Sequence, residues 1–243
     1  METQLWFTHW LNVVLGPSLG AVLGMLGVHP ADPRAPFNNT FSMEILVALI
    51  LAAFGTWLGM RLSVDAPRAW QGLTEVAWNA VEDQGEQVMG HGSGTRFLNF
   101  LFTLMLFILA ANLIGLIPGF MAPTADASTT LGLALVVFLL YHSVGIRKHG
   151  FRYIKQFLGP VWWLAPLMLV IEFFGHLARV LSLSVRLYAN MFAGDLIIGV
   201  FVALLPITGI VFMGLHLFVA LLQTYIFVVL AMVYLAGALA EAH

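Results

Sequence analysis

The longest apolar region of this sequence runs from about Val161 to Ala240 and is divided by Pro206 and Gly209. A helix crosses a bilayer with about 20 apolar residues, so this region is far too long for one crossing. Proline and glycine disfavour the interior of a helix. We therefore expect two helices here, over about 161–200 and 206–240, each so long that it must be strongly tilted.

The composition also indicates a membrane protein. Of the 243 residues, 60% are hydrophobic and 9% are charged, whereas soluble domains carry about 25% charged residues. Three further apolar segments, about 43–62, 97–118 and 131–146, bring the predicted spans to five, and the last is short enough to need flanking residues. We expect an all-α, polytopic fold with a single membrane domain over 41–243. The absence of cysteine excludes disulfides and thiol chemistry.

Two segments outside the spans have patterns of their own. No Lys or Arg precedes Arg34, so residues 1–40 lack the basic start of a signal peptide, and their glycine-broken apolar sequence predicts an interfacial segment. Between the first two spans, at about 68–89, acidic and amide residues alternate with apolar ones at helical spacing. This pattern predicts an amphipathic helix on the membrane surface.

Lysine and arginine in short loops indicate the orientation of a membrane protein. Seven such residues fall on one side of the predicted topology, and Arg34 alone falls on the other. We expect the larger group to be cytoplasmic, which places the N-terminus outside and the C-terminus in the cytoplasm. The seven are Arg61, Arg68, Arg96, Arg147, Lys148, Arg152 and Lys155.

Polar side chains also occur inside the long region 161–240, where a charge costs about 2.5–3.5 kcal/mol on insertion scales. At about 100° per residue, six of them form one stripe on a helix. Asp195 lies nine residues past Arg186 and so on the opposite face, while His216 and Gln223 share one face of the last helix. The six are Glu172, His176, Arg179, Ser182, Arg186 and Asn190.

Structural roles are open for most of these residues. Glu172 and Arg179 are seven residues apart and could form a structural pair or extend to an interface. His176 could be a hydrogen-bonded packing residue. Polar residues in membrane spans also join helices, which could apply to Asn190 with Gln223, and to Asp195 with His216 as a buried ion pair.

Arg186 is the residue that a structural role explains least well. An arginine stays protonated, and no carboxylate lies three or four residues away on the helix. We expect its fixed positive charge to meet a charge on another chain or a substrate. A fixed cation between titratable groups on two faces suits two separate proton routes divided by a barrier.

The segment from Leu181 to Asp195, LSLSVRLYANMFAGD, resembles the signature of subunit a of the F-type ATP synthase. Three further blocks carry the same resemblance: NLIGLIP at 112–118, PTAD at 123–126, and a C-terminal block with His216, Gln223, Phe227 and Tyr234. The resemblance covers about residues 40–243 in order.

The resemblance implies a proton-translocating stator with two offset half-channels, beside a rotating ring of c subunits that each carry a mid-membrane carboxylate. Arg186 matches the family's essential arginine, which would attract the ionised carboxylate, block a direct leak and drive rotation. Asp195 and His216 match a titratable pair in the half-channel open to the outside. This Asp is one methylene shorter than the Glu of some relatives, which reduces its reach toward His216.

The remaining site residues are assigned on the same resemblance. Asn190 and Gln223 match polar residues near the arginine. Glu172 matches an acidic position of the cytoplasmic half-channel, and His176, Arg179 and Ser182 lie on its stripe. The implied partners are the c-subunit ring, the b subunits of the peripheral stalk and the lipid bilayer, in a bacterial plasma (inner) membrane.

We expect no cofactor, metal or nucleic-acid partner. The chain has no phosphate-binding Gly-rich Lys loop, so we do not expect it to bind ATP or to be an enzyme. An ion-coupled secondary transporter is the alternative, although no second copy of the Arg186 motif indicates the inverted repeats typical of that class. An intramembrane hydrolase would need a nucleophile with a placed base, and the spans contain no such motif.

Overall fold

The computed structural model describes residues 4–25, 35–63, 69–90, 92–150, 153 and 162–240. Regular structure in those residues is helical, as the sequence predicts. Short 3₁₀ turns at Pro123–Ala125 and Trp162–Leu164 precede two of the helices. The α-helices are α1 (Trp6–Val14), α2 (Gly16–Met25), α3 (Asn39–Gly59), α4 (Ala69–Met89), α5 (Ser93–Ile114), α6 (Ala127–His149), α7 (Ala165–Leu204) and α8 (Pro206–Leu239).

Five helices in the described part of the chain, α3 and α5 to α8, are long and apolar enough to cross a membrane. α7 has 40 residues and α8 has 34, which correspond to about 60 and 51 Å of helix. Both exceed the roughly 30 Å of a hydrocarbon core. The predicted all-α fold, with five spans and two long C-terminal helices, is therefore confirmed.

Capping residues explain where two of the spans begin. The Asn38 side chain accepts a hydrogen bond from the Phe41 N–H at 2.7 Å, so α3 begins at Asn39, ahead of the predicted residue 43. Asp126 caps the start of α6 in the same way. The helix runs over Ala127–His149 and so extends beyond the predicted 131–146 at both ends. α5 ends before the predicted Pro118, whose missing N–H cannot continue a helix.

A single residue separates the two long helices. Leu205 has an extended backbone, with φ −149°, and Pro206 follows as the first residue of α8. Proline fits that position because the first N–H of a helix has no intrahelical partner. The rings of Phe201 and Phe212 stack across the turn with centroids 4.0 Å apart. The predicted break therefore falls at Leu205–Pro206, and Gly209 lies inside α8.

Helices α4 to α8 share one apolar core, in which Leu101, Leu187 and Phe227 are fully buried. α7 packs between α6 and α8, and α5 packs on both α4 and α8. In the amphipathic α4, predicted over 68–89, Trp78 lies edge-on to Phe102 of α5 at 5.0 Å between centroids. α4 is thus one wall of the helical bundle.

The described N-terminal residues are fixed to the start of α3. The Asn12 side chain donates to the Phe37 carbonyl at 3.1 Å and accepts from the Phe37 N–H at 3.0 Å. Trp6 lies edge-on to Phe120, in the loop after α5, with centroids 5.9 Å apart. The segment predicted to be interfacial therefore contains two short helices, α1 and α2, and α1 is held against the bundle.

Lys148, near the end of α6, donates a hydrogen bond from Nζ to the Leu239 carbonyl at 2.6 Å. The C-terminal ends of α6 and α8 therefore lie at the same end of the bundle. Several sequence-based predictions concern residues outside the described ranges. These are the start of the fourth span at Val161 and the basic residues Arg34, Arg68, Arg152 and Lys155.

Candidate functional site

One unbroken helix, α7, carries Glu172, Arg186 and Asp195. Glu172 lies 14 residues before Arg186 and Asp195 lies nine residues after it, which correspond to about 21 Å and 13 Å along the helix axis. A separate cleft opens beside each of the two acids. The arginine therefore lies between two acid-bearing clefts that one helix holds apart.

The first cleft, of about 150 Å³, is lined by α6, α7 and α8 beside Glu172. His176 Nε2 lies 3.9 Å from Glu172 Oε2, and its Nδ1 shares a hydrogen bond of 2.8 Å with the Tyr141 hydroxyl. The Arg179 guanidinium lies 5.8 Å from the Tyr234 ring centroid and lines the same cleft. The structure thus brings together three residues of the predicted stripe.

The second cleft, of about 480 Å³, lies where the loop over 115–122 meets α7 and α8. Asp195 lines this cleft, and its Oδ1 is 3.7 Å from Nε2 of His216. His216 is only 3% exposed, and neither ring nitrogen has a hydrogen-bond partner among the described residues. At 3.7 Å the two side chains are close enough for an ion pair but too far apart for a direct hydrogen bond. This agrees with the shorter reach expected of an Asp at this position.

Arg186 is half-buried and has little to hold it within the described part of the chain. One guanidinium nitrogen donates to Ser182 Oγ at 3.3 Å, and no described carboxylate forms an ion pair with it. The face of α7 on which Arg186 lies is formed by small exposed residues, which let another helix approach closely. They are Ala178, Ser182, Ala189 and Ala193.

Asn190 and Gln223 join α7 to α8 about one turn from Arg186. The Asn190 side-chain amide donates to Gln223 Oε1 at 2.7 Å. Gln223 is 1% exposed and Asn190 is exposed, so this hydrogen bond links the surface of α7 to the buried face of α8. The residues predicted for the site therefore fall into three groups, with the arginine in the central one.

Sequence reasoning missed several polar residues in the spans. Tyr141 and Tyr153 line the first cleft, and His142 lies behind it in contact with the Tyr153 hydroxyl. On α3, Glu44 accepts a hydrogen bond of 2.6 Å from Thr129 of α6. His142 and Glu44 are ionisable residues inside apolar spans, which is the same signal that identified Glu172 and Asp195.

The chain is similar in sequence to proteins of one family. The family model described as ATP synthase A chain matches residues 40–236. The chain is 51% identical over 245 residues to ATP synthase subunit a of Koribacter versatilis, with 100% of both chains covered. It is 43% identical over 225 residues to ATP synthase subunit a of Solibacter usitatus, covering 92% of this chain and 95% of that one. It is 46% identical over 199 residues to ATP synthase subunit a 1 of Syntrophotalea carbinolica, covering 82% and 84%.

Proposed function

This chain belongs to the ATP synthase A chain family, and on that premise we propose that it supplies both proton half-channels of the membrane sector. As a member, it is a multi-pass membrane protein that takes part in ATP synthesis and proton transport, in an assembly with other ATP synthase subunits. The observation that carries the proposal is the position of Arg186 on one helix between two clefts, each of which is lined by an acidic residue of that helix.

Arg186 acts as a fixed charge and not as a proton carrier, because a guanidinium stays protonated. Its single described hydrogen bond, to Ser182, leaves most of its donors available to a carboxylate on a c subunit. The small residues around it allow a ring helix to approach closely. An ionised ring carboxylate is attracted to this site, and a proton cannot pass it directly from one half-channel to the other.

The half-channel open to the outside is formed by the larger cleft, with Asp195 at its inner end. Asp195 and His216 take the proton in turn, since a carboxylate and an imidazole can both exchange protons near neutral pH when their surroundings are tuned. Asn190 and Gln223 line the last part of the path toward Arg186 and fix the distance between α7 and α8.

The cytoplasmic half-channel is formed by the smaller cleft, where Glu172 and His176 exchange protons and Arg179 keeps the local field positive. Basic residues near the ends of the spans support this orientation, because the four of them in the described part of the chain lie at this end of the predicted topology. The N-terminus is then outside, the C-terminus is cytoplasmic, and the membrane is a bacterial plasma membrane. The basic residues are Arg61, Arg96, Arg147 and Lys148.

The proposed partners follow from the exposed surface. Within an apolar 18-residue stretch of each helix, 11% of the residues of α7 are buried inside the chain, against 39% of those of α8. α7 therefore offers the larger uncovered face to the c-subunit ring. The b subunits of the peripheral stalk contact the bundle elsewhere. The chain is a channel-forming subunit without a catalytic site of its own. Family membership disfavours the secondary-transporter alternative.

The substitution Arg186→Ala tests this function in the assembled complex. Vesicles containing the variant should show no ATP synthesis driven by proton-motive force, while the other subunits still copurify with it. Arg61→Ala is the matched control, because Arg61 is exposed and lies against Trp57, 5.1 Å from its ring centroid, away from both clefts. Normal coupled synthesis by the Arg186→Ala complex would overturn the proposal.

A further inference from the structure

A buried tyrosine lies behind the smaller cleft. Gly150, with φ +57°, reverses the chain after α6, and the N–H of Tyr153 donates to the Gly150 carbonyl at 3.1 Å. The Tyr153 ring then lies against Gly145, where an added β-carbon would overlap it. Tyr153 is 6% exposed and still lines the cleft. Its position is therefore fixed by a turn and by a close approach to α6.

The Tyr153 hydroxyl connects the cleft to a histidine. Its oxygen is 2.8 Å from Nδ1 of His142, and the ring of His142 lies 4.7 Å from the ring of His176, centroid to centroid. His176 in turn contacts the Tyr141 hydroxyl and faces Glu172. Side chains that can carry protons therefore form a row from Glu172 to Tyr153, in which the rings of the two histidines lie side by side.

We propose that His142 and Tyr153 form a second branch of the proton route on the Glu172 side, running from His176 to the part of the cleft that Tyr153 lines. This inference rests on the function proposed above and adds two residues to it. A neutral imidazole has one N–H donor and one acceptor nitrogen, so it can take a proton on one side and release one from the other.

In the transfer of one proton along this branch, every proton taken up by a residue is matched by one that the residue releases. His142 accepts a proton from the His176 side on its unprotonated nitrogen and releases the proton of its other nitrogen to the Tyr153 oxygen. The hydroxyl proton of Tyr153 leaves to water in the cleft. Rotation of the hydroxyl and a tautomer change of the ring restore the starting state, so no group gains or loses a proton overall.

The groups around His142 come from several elements, and they determine how readily it takes a proton. α7 contributes His176, whose ring contacts that of His142, and the cation Arg179. α6 contributes Tyr141, and Tyr153 faces it from the segment after α6. The positive charge of Arg179 opposes a second proton on His142, so the ring must release one proton as it accepts the other.

The experiment measures proton flux through the reconstituted complex after removal of the catalytic sector. His142→Ala should lower the flux by about tenfold or more, since positioned proton-transfer groups contribute at least that much. Imidazole added on the Glu172 side should restore the flux of this variant. It should not change the flux of the wild type or of His9→Ala, whose histidine is exposed on α1.

Two further variants separate proton transfer from packing. His142→Gln keeps an acceptor for the Tyr153 hydroxyl but cannot carry a proton, so it should assemble and still conduct poorly. Tyr153→Phe keeps the ring and should lower the flux, whereas Tyr225→Phe, which removes an interhelical hydrogen bond to Gln84, should not. Wild-type flux in His142→Gln, or loss in His142→Ala that imidazole does not restore, overturns the proposal.

The complete complex carrying Arg186→Ala, assayed for coupled ATP synthesis, separates this branch from the function on which it rests. If Arg186→Ala abolishes coupled synthesis and the His142 variants conduct normally, only the branch is wrong. If Arg186→Ala sustains coupled synthesis, the proposed function itself is wrong, whatever the His142 variants do.

Discussion

Gly194 of α7 lies directly against the imidazole of His216 on α8, so closely that a β-carbon at position 194 would overlap Nδ1. The close approach places a buried ring beside Asp195, the next residue along the chain. No other residue type leaves this space, because every other side chain begins with a β-carbon. The glycine therefore determines where the histidine can stand.

Gly194→Ala should displace the His216 ring and reduce proton flux through the complex. Forcing an extra carbon into a packed site costs about 1–3 kcal/mol of stability and moves the ring away from Asp195. A loss of flux is therefore expected, measured as ATP-driven acidification of vesicles. Gly214→Ala is the control, because nothing lies within 4 Å of a β-carbon there. Equal flux in both variants would show that the ring position is not restricted by Gly194.

Asp195→Glu should keep most of the flux, because the longer side chain can close the gap of 3.7 Å to His216. Asp195→Asn should lower the flux by roughly tenfold, since an amide cannot exchange the proton. In a double-mutant cycle with alanine at both positions, we expect a coupling energy of about 0.5–3 kcal/mol. Strictly additive losses would contradict a shared path for the two side chains.

Asn112→Leu should destabilise the bundle. The Asn112 side chain is fully buried; it donates to the Ala220 carbonyl and to Thr224 Oγ1, and it accepts from Thr124 Oγ1 at 2.6 Å. Its loss leaves buried partners unsatisfied, at about 1–3 kcal/mol, measurable by denaturant titration in detergent. Asn99→Leu, at an exposed position of the same helix, should have little effect, and equal stability of the two variants would contradict this role.

Asp126 should make the stability depend on acidity. Burial acts to raise the pKa of Asp126, but hydrogen bonds from Ser128 and Thr40 outweigh it and lower the pKa below the ordinary 3.8. The ionised carboxylate thus favours the folded state above pH 3.8, and this contribution is lost as the pH falls through the lower folded pKa.

The stability difference between wild type and Asp126→Asn should therefore be largest near neutral pH and shrink in acid, as thermal unfolding in detergent would show. Asp83→Asn, at an exposed position of α4, is the control. A difference that stays constant down to pH 2 would exclude this origin, since about two units below the ordinary value most of the carboxyl is protonated.

The parts of the fold that depend on local sequence were predictable. Apolar length identifies the five spans, Pro206 marks the break between α7 and α8, and helical periodicity places Glu172 and His176 on one face. The contacts that complete the clefts were not predictable in this way. Periodicity gives the face on which a residue lies, but it does not say which distant residue will meet that face.

Two contacts illustrate that difference. The loop over 115–122 folds onto α7 and forms a wall of the cleft at Asp195, although the two are far apart in sequence. Tyr153 reaches His142 only because Gly150 reverses the chain and Gly145 leaves room for the ring. Both contacts depend on the shape of a loop and on what the loop packs against. Neither loop has a periodic sequence pattern from which the contact could be predicted.

The uninterrupted length of α7 has a mechanical consequence. Glu172 and Asp195 are 23 residues apart on this one helix, or about 35 Å, with Arg186 between them. If a straight, stiff helix rotates about a point near its middle, its two ends move in opposite directions. When α7 tilts about a point near Arg186, the two acids therefore move in opposite directions, and neither end is displaced independently while the helix stays straight.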